Sequence, residues 1–170
     1  MAVIRKVNGI EPKFGENNFI ADNATIVGDV ECGDNCSFWF NSVVRGDVHS
    51  IRLGHHVNVQ DGAIIHCTHN MYDVVVGNYV SIAHNAIVHG CHIKDYVLIG
   101  MGAIVMDGVV IESNSIVAAG SVVLEGTHIE ANSIYAGIPA KKVKDLPDDK
   151  KENLIKRIAE GYPQYGNWYD

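Results

Sequence analysis

Nine histidines occur in the 170-residue chain, and five of them fall between His66 and His92. The segment "DGAIIHCTHN" ends an apolar run in His66 and then His69, and "SIAHNAIVHG" sets His84 and His89 five residues apart. Imidazole does two kinds of chemistry near neutral pH. A neutral ring nitrogen ligates a transition metal, and a ring with a pKa near 6.5 carries protons. Either use needs rings from separate segments to converge, so the elements that carry the histidines decide which chemistry is available.

Those elements follow from an internal repeat. From Ile93 an apolar residue returns at every sixth position, through Ile99, Val105, Ile111, Val117, Val123 and Ile129 to Tyr135. Small, polar and turn residues fill the gaps, so each unit is too short for a helix and reads as a brief strand and a turn. Upstream the same beat runs through Ile20, Ile26, Cys32, Phe38 and Val44, then Leu53, Val59 and Ile65, then Val76, Ile82 and Val88. Breaks fall at 45–52, 66–75 and 89–92. A six-residue period predicts a parallel β-helix, whose units bury their apolar residues only against the coils above and below. Three units make one triangular coil. The expectation is one domain, with the β-helix over 1–146 and a helix and tail over 147–170. Pro147 with Asp148 or Asp149 marks the helix start, and Leu154, Ile155, Ile158, Ala159 and Tyr162 share the face that would lie along the β-helix.

The beat places the side chains. His66 follows Ile65 and His89 follows Val88, so both hold one slot on one face in adjacent coils, and Arg45, after Val44, holds it one coil earlier. Strands stack about 4.7–4.9 Å apart, close enough for two imidazoles to reach one metal ion. His84 belongs to another face, where Asp61 holds the same slot one coil before it, beside Gln60. If three prisms pack about a threefold axis, the first face of one meets the other face of the next. His66 and His89 then meet the neighbour's His84, and Arg45 meets the neighbour's Asp61.

Each residue also has a plainer reading. A lone histidine in a strand is commonly a satisfied or exposed side chain, and that reading is taken for His49, His55, His56, His92 and His128, and for His69 in the inserted loop. Arg45 and Asp61 could form a purely structural pair that fixes register. Gln60 could hold a metal-bound water or serve as a polar interface residue, and Asn58 nearby is a further polar candidate. The stacked slots and the matching Arg and Asp one coil away argue for His66, His84 and His89 as ligands.

Composition narrows the partners. Thirteen Lys and Arg against twenty Asp and Glu give a net charge of −7, which argues against nucleic acid or an anionic membrane as partner. No apolar run approaches the roughly 18 residues of a spanning helix, and "MAVIRKVNGIEPKFG" lacks a signal-peptide pattern. The expected compartment is the cytoplasm. Cys32, Cys36, Cys67 and Cys91 contain no CxxC pair and are read as packing residues.

The stretches "NSVVRGD", "NVQDGAIIHCT" and "SIAHNAIVHGC" resemble the gamma-class carbonic anhydrases, along roughly residues 10–143. The resemblance implies a left-handed β-helix, a hand the beat cannot give because parallel crossovers are usually right-handed. It implies a homotrimer in which His66 and His89 of one subunit and His84 of the next bind zinc, or iron or cobalt, at each interface. Arg45, Asp47 and Asp61 would form the network around the pocket, and Gln60 would orient a bound hydroxide. The implied reaction is the reversible hydration of carbon dioxide to bicarbonate. The sequence departs from the archetype at the proton-transfer step: Val48 follows Asp47 where a Glu is usual, and the 66–75 insertion offers Asp73 as its acid. In some members a tyrosine from the terminal helix approaches the metal, and Ile155 falls near its expected place. Three rivals remain: a metal-dependent acyl-CoA thioesterase, a hexapeptide-repeat acyltransferase, and a trimeric binding or scaffold protein.

Overall fold

The computed structural model describes residues 1–147 and 151–169, the stretch 151–153 by its backbone alone. Short strands wind as a left-handed parallel β-helix followed by a C-terminal helix. Three inward columns fill the prism. Ile26, Val44, Ile65, Val88, Val105 and Val123 pair in succession on the first face. Cys32, Leu53, Val76, Ile93, Ile111 and Ile129 do so on the second. Phe38, Val59, Ile82, Ile99, Val117 and Tyr135 do so on the third. These are the positions of the six-residue beat, and all are buried. Burying each large aliphatic side chain contributes about 1.5–3 kcal/mol. The gain exists only in the stack, because each coil takes its strand hydrogen bonds from its neighbours, as in Ile64 N to Ala86 O (2.9 Å) and Ile87 N to Ala103 O (2.8 Å).

One break in the beat is not a loop. The strand Val43–Leu53 runs without interruption from the first face to the second, pairing with Ile64–His66 at one end and Val74–Val76 at the other. It joins the two faces into a single sheet. Its partner Thr25–Cys32 follows it with a register shift between Gly28 and Val30. The extra residues at 45–52 thus form a strand that turns a corner.

At another corner, residues stack in the left-handed backbone region: Asn35, His56, Tyr79, Tyr96 and Asn114, with φ from 55° to 58°. Asn and His enter this region more often than other side chains, whereas Tyr does so rarely. The rings of His56, Tyr79 and Tyr96 stack at centroid distances of 4.6 and 4.9 Å, which offsets part of the strain.

A π-helical segment, Lys151–Lys156, leads into the α-helix Arg157–Gly166. Ile155 and Ala159 are fully buried against the β-helix. Asp148 and Asp149 of the expected helix start lie outside the described residues. The aromatic tail packs: Tyr169 meets Phe19 and Phe40 at centroid distances of 5.7 and 5.5 Å. The four cysteines are free and buried. Among the described residues no helix is long and apolar enough to cross a membrane.

Candidate functional site

Arg45, His66 and His89 pair as neighbours on successive strands, in the column expected from the sequence. The two imidazoles meet with His66 Nδ1 3.0 Å from His89 Nε2. Their other nitrogens are committed. His66 Nε2 lies 3.1 Å from Asp47 Oδ1, and His89 Nδ1 lies 2.6 Å from Asp107 Oδ1.

Both carboxyls are held below the ordinary carboxylate range. Burial pushes Asp47 up, but the Arg45 guanidinium at 2.6 Å and the His66 bond outweigh it. Burial likewise pushes Asp107 up and is outweighed by bonds from the Thr68 hydroxyl and His89. An ionised carboxylate only accepts, so each takes an N–H from its ring. Burial, opposed by Asp47, moves His66 below the usual imidazole pKa and favours its neutral form. When both rings are neutral, the nitrogens that face each other at 3.0 Å are both lone pairs. Two acceptors at that distance repel unless a proton or a metal ion lies between them. The spacing is close to the roughly 3.3 Å expected of two nitrogens on a tetrahedral ion with Zn–N of about 2.0–2.1 Å.

His84 repeats the arrangement on the third face. Its Nδ1 lies 3.0 Å from Asp61 Oδ2, and its Nε2 lies 3.5 Å from the Tyr162 hydroxyl. Among the described residues no three His, Cys, Asp or Glu side chains of one chain gather to hold a metal ion. A three-histidine set therefore needs a second copy. Within the chain Arg45 closes on Asp47 and Asp61 on His84, so an Arg45–Asp61 pair would also have to form between copies.

Gln60 and Asn58 form a buried polar row on the third face. Gln60 Nε2 donates to Asn58 Oδ1 (2.9 Å), and Asn58 Nδ2 donates to Ser81 Oγ (2.8 Å). Gln60 is 3% exposed and Asn58 0%. The row fixes the amide of Gln60 at the edge of a slot of about 400 Å³, lined also by His84, Leu98, Ile116, Ala119 and Tyr162. Burial, then Asp61 and Tyr165, push the Tyr162 phenol up to about 12, so it stays protonated at neutral pH.

Two residues of this site escaped the sequence reading as site residues. Asp107 lies on the next coil one position past the column, because Val88 pairs with Val105, so no slot of the repeat marked it. Tyr162 was placed on the packing face of the helix, yet it is the tyrosine that reaches His84, while Ile155 is buried in the core. A carboxylate partner alone does not mark a ligand. His92 pairs with Asp73 at 2.8 Å and His128 with Glu112 at 3.0 Å, and among the described residues neither faces a second imidazole. His69 is exposed in the inserted loop.

The family model for the bacterial transferase hexapeptide (six repeats) matches residues 90–125. The chain is 38% identical to a carbonic anhydrase of Geobacillus kaustophilus over 98% of its own length and 91% of that protein. It is 34% identical to the mitochondrial gamma carbonic anhydrase 1 of Arabidopsis thaliana over 92% of its length, covering 57% of that protein. Among solved structures, a Bacillus cereus protein with a provisional acetyltransferase name superposes with a TM-score of 0.93 at 38% identity, covering 99% of this chain and 96% of that one. Taken with the hexapeptide coils and the near-full-length identity, these likenesses show that the chain belongs to the gamma-class carbonic anhydrase-like family of hexapeptide-repeat proteins.

Proposed function

We propose that the protein is a metal-dependent carbonic anhydrase that hydrates carbon dioxide reversibly to bicarbonate at the interfaces of a homotrimer. The observation that carries this reading is the pair of lone-pair nitrogens at 3.0 Å, His66 Nδ1 and His89 Nε2, each backed by a carboxylate on the far side of its ring. Carboxylate–imidazole pairs of this kind fix the ring and its tautomer for metal binding. His84 of a neighbouring copy would complete the set, with Asp61 in the same backing role.

A trimer is favoured by an outward apolar column on the first face, Val43, Ile64, Ile87, Ile104 and Val122, beside Met106 and Leu124. Ile64, Met106 and Leu124 are 39%, 38% and 49% exposed in the single chain.

Zinc, iron or cobalt held by the three imidazoles would supply Lewis acidity, making a water acidic enough to act as a nucleophile near pH 7. The protein's own residues do the rest. The apolar slot admits an uncharged, apolar substrate next to His84, and its walls exclude competing water. The Gln60 amide, held by Asn58, orients the attacking water or the substrate oxygen at the slot's edge. The Tyr162 hydroxyl remains a hydrogen-bond donor there. The proton released must pass to an acceptor in solvent for the next turnover.

The same slot favours a second reading, hydrolysis of an acyl thioester, because its volume exceeds what carbon dioxide requires. Stopped-flow carbon dioxide hydration on metal-loaded protein separates the two. Activity that depends on metal and disappears in His84→Ala supports the anhydrase. Metal-loaded protein with no hydration but with metal-dependent cleavage of acyl-CoA assigns it to the thioesterases.

A further inference from the structure

The loop that interrupts the repeat after His66 closes on itself and onto the next coils. Thr68 N donates to Tyr72 O at 3.0 Å, and Tyr72 N donates to Thr68 O at 3.2 Å. Tyr72 lies over two glycines. A Cβ at Gly90 would stand 2.7 Å from Tyr72 Cβ and would also strike Asp107 Oδ1, and a Cβ at Gly108 would stand 3.2 Å from Tyr72 Cε1. Gly90, beside His89 with φ +50°, therefore leaves room both for the loop and for the Asp107 carboxylate. In that closed arrangement the Thr68 hydroxyl donates to Asp107 Oδ2 at 2.7 Å, while Asp107 Oδ1 faces His89 Nδ1 at 2.6 Å.

We propose that Thr68 is a positioning residue for the metal site, holding Asp107 so that His89 keeps its proton on Nδ1 and presents a bare Nε2 to the ion; this rests on reading His66 and His89 as ligands. A carboxylate whose two oxygens are split between two donors cannot swing without losing one of them. Without the Thr68 donor, Oδ2 is unpartnered and the group is free to rotate away from the ring. His89 then gains access to the tautomer with the proton on Nε2, where it faces His66 and closes the ligand position. The inserted loop thus links its own folding to the readiness of a ligand on the neighbouring coil. Loss of such outer partners typically weakens metal binding about 10–100-fold.

The test uses the full-length chain with Thr68→Val, which removes the donor and keeps the branch, and Thr68→Ala in parallel should the valine variant not fold. Thr68→Ser restores the donor. Histidine nitrogen NMR on the metal-free protein reads the tautomer, and competition with a zinc chelator reads affinity. The expected result is an Nδ1–H tautomer at His89 in the wild type and in Thr68→Ser. Thr68→Val and Thr68→Ala should show a mixed tautomer and bind zinc about 10–100-fold more weakly. A wild type that binds zinc while the donor-free variants match it in tautomer and affinity overturns the role of Thr68 alone. A wild type that binds no zinc overturns this role together with the ligand reading beneath it.

Discussion

His66 Nδ1 and His89 Nε2 face each other at 3.0 Å after Asp47 and Asp107 have taken the other nitrogen of each ring. The β-helix produces this relation directly. One coil separates the two residues, their strands are hydrogen-bonded neighbours, and the inward residues Ile65 and Val88 lock the register beneath them. A one-residue slip would turn both imidazoles into the core.

The backing carboxylates set the tautomers. Asp47→Asn replaces an acceptor-only group with one that also donates, and it removes the partner of Arg45. Metal affinity should fall about 10–100-fold, as read by chelator competition, with the fold retained by circular dichroism.

The buried polar row serves both stability and chemistry. Asn58→Leu leaves Gln60 Nε2 and Ser81 Oγ without their partner in a buried strand, a loss of about 1–3 kcal/mol in urea unfolding. Gln60→Leu leaves Asn58 Oδ1 without its donor and should cost a similar amount, and in addition should lower kcat for carbon dioxide hydration while metal binding is kept. Unchanged kcat would remove Gln60 from the reaction.

Ile65 is fully buried between Val44 and Val88. Ile65→Ala opens a cavity under the histidine column and should cost about 2–5 kcal/mol in urea unfolding. Metal affinity should fall with it, because His66 is the next residue.

Acid should weaken the metal-free fold through His66 before the carboxylates contribute. Burial lowers the His66 pKa, so the unfolded chain takes its proton near pH 6.5 while the folded chain resists until lower pH. Stability is complete above about 6.5 and is lost as pH falls toward the folded value. Asp47 and Asp107, both depressed, lose their contribution only below about pH 3.9. The urea midpoint of the metal-free wild type should therefore drop between about pH 7.5 and about pH 5.5, and that of His66→Gln should drop less. Equal drops would contradict the assignment.

Inward positions were legible because a six-residue beat leaves one register that buries them all, and that register also fixes which outward residues share a column. Arg45, His66 and His89 follow from it, as does the shared slot of Asp61 and His84; that Asp61 bonds His84 within the chain, rather than waiting for an arginine, does not. What the beat does not encode is how far the chain departs from it. The stretch 45–52 read as an insertion, but its alternating residues pair on both sides and continue the strand. For Tyr162 the helical spacing gives the packing face, with buried Ile155 and Ala159 on it, but not which β-helix residues the ring meets, here Trp39 and His84. Asp107 was overlooked because Met106, not Asp107, occupies the slot above His89. The carboxylate reaches back across Gly90.

The central claim is that facing imidazoles from His66 and His89, completed by His84 of a second copy, hold a metal ion. Zinc titration of the metal-free protein, with mass measured by light scattering, tests it most directly on the wild type, His89→Ala and His84→Ala. The account predicts one tightly held ion per chain in a trimer, and loss of that binding in both variants although His84 lies on a different face. Zinc binding that survives either substitution at wild-type affinity, or a wild type that takes up no ion, would contradict it.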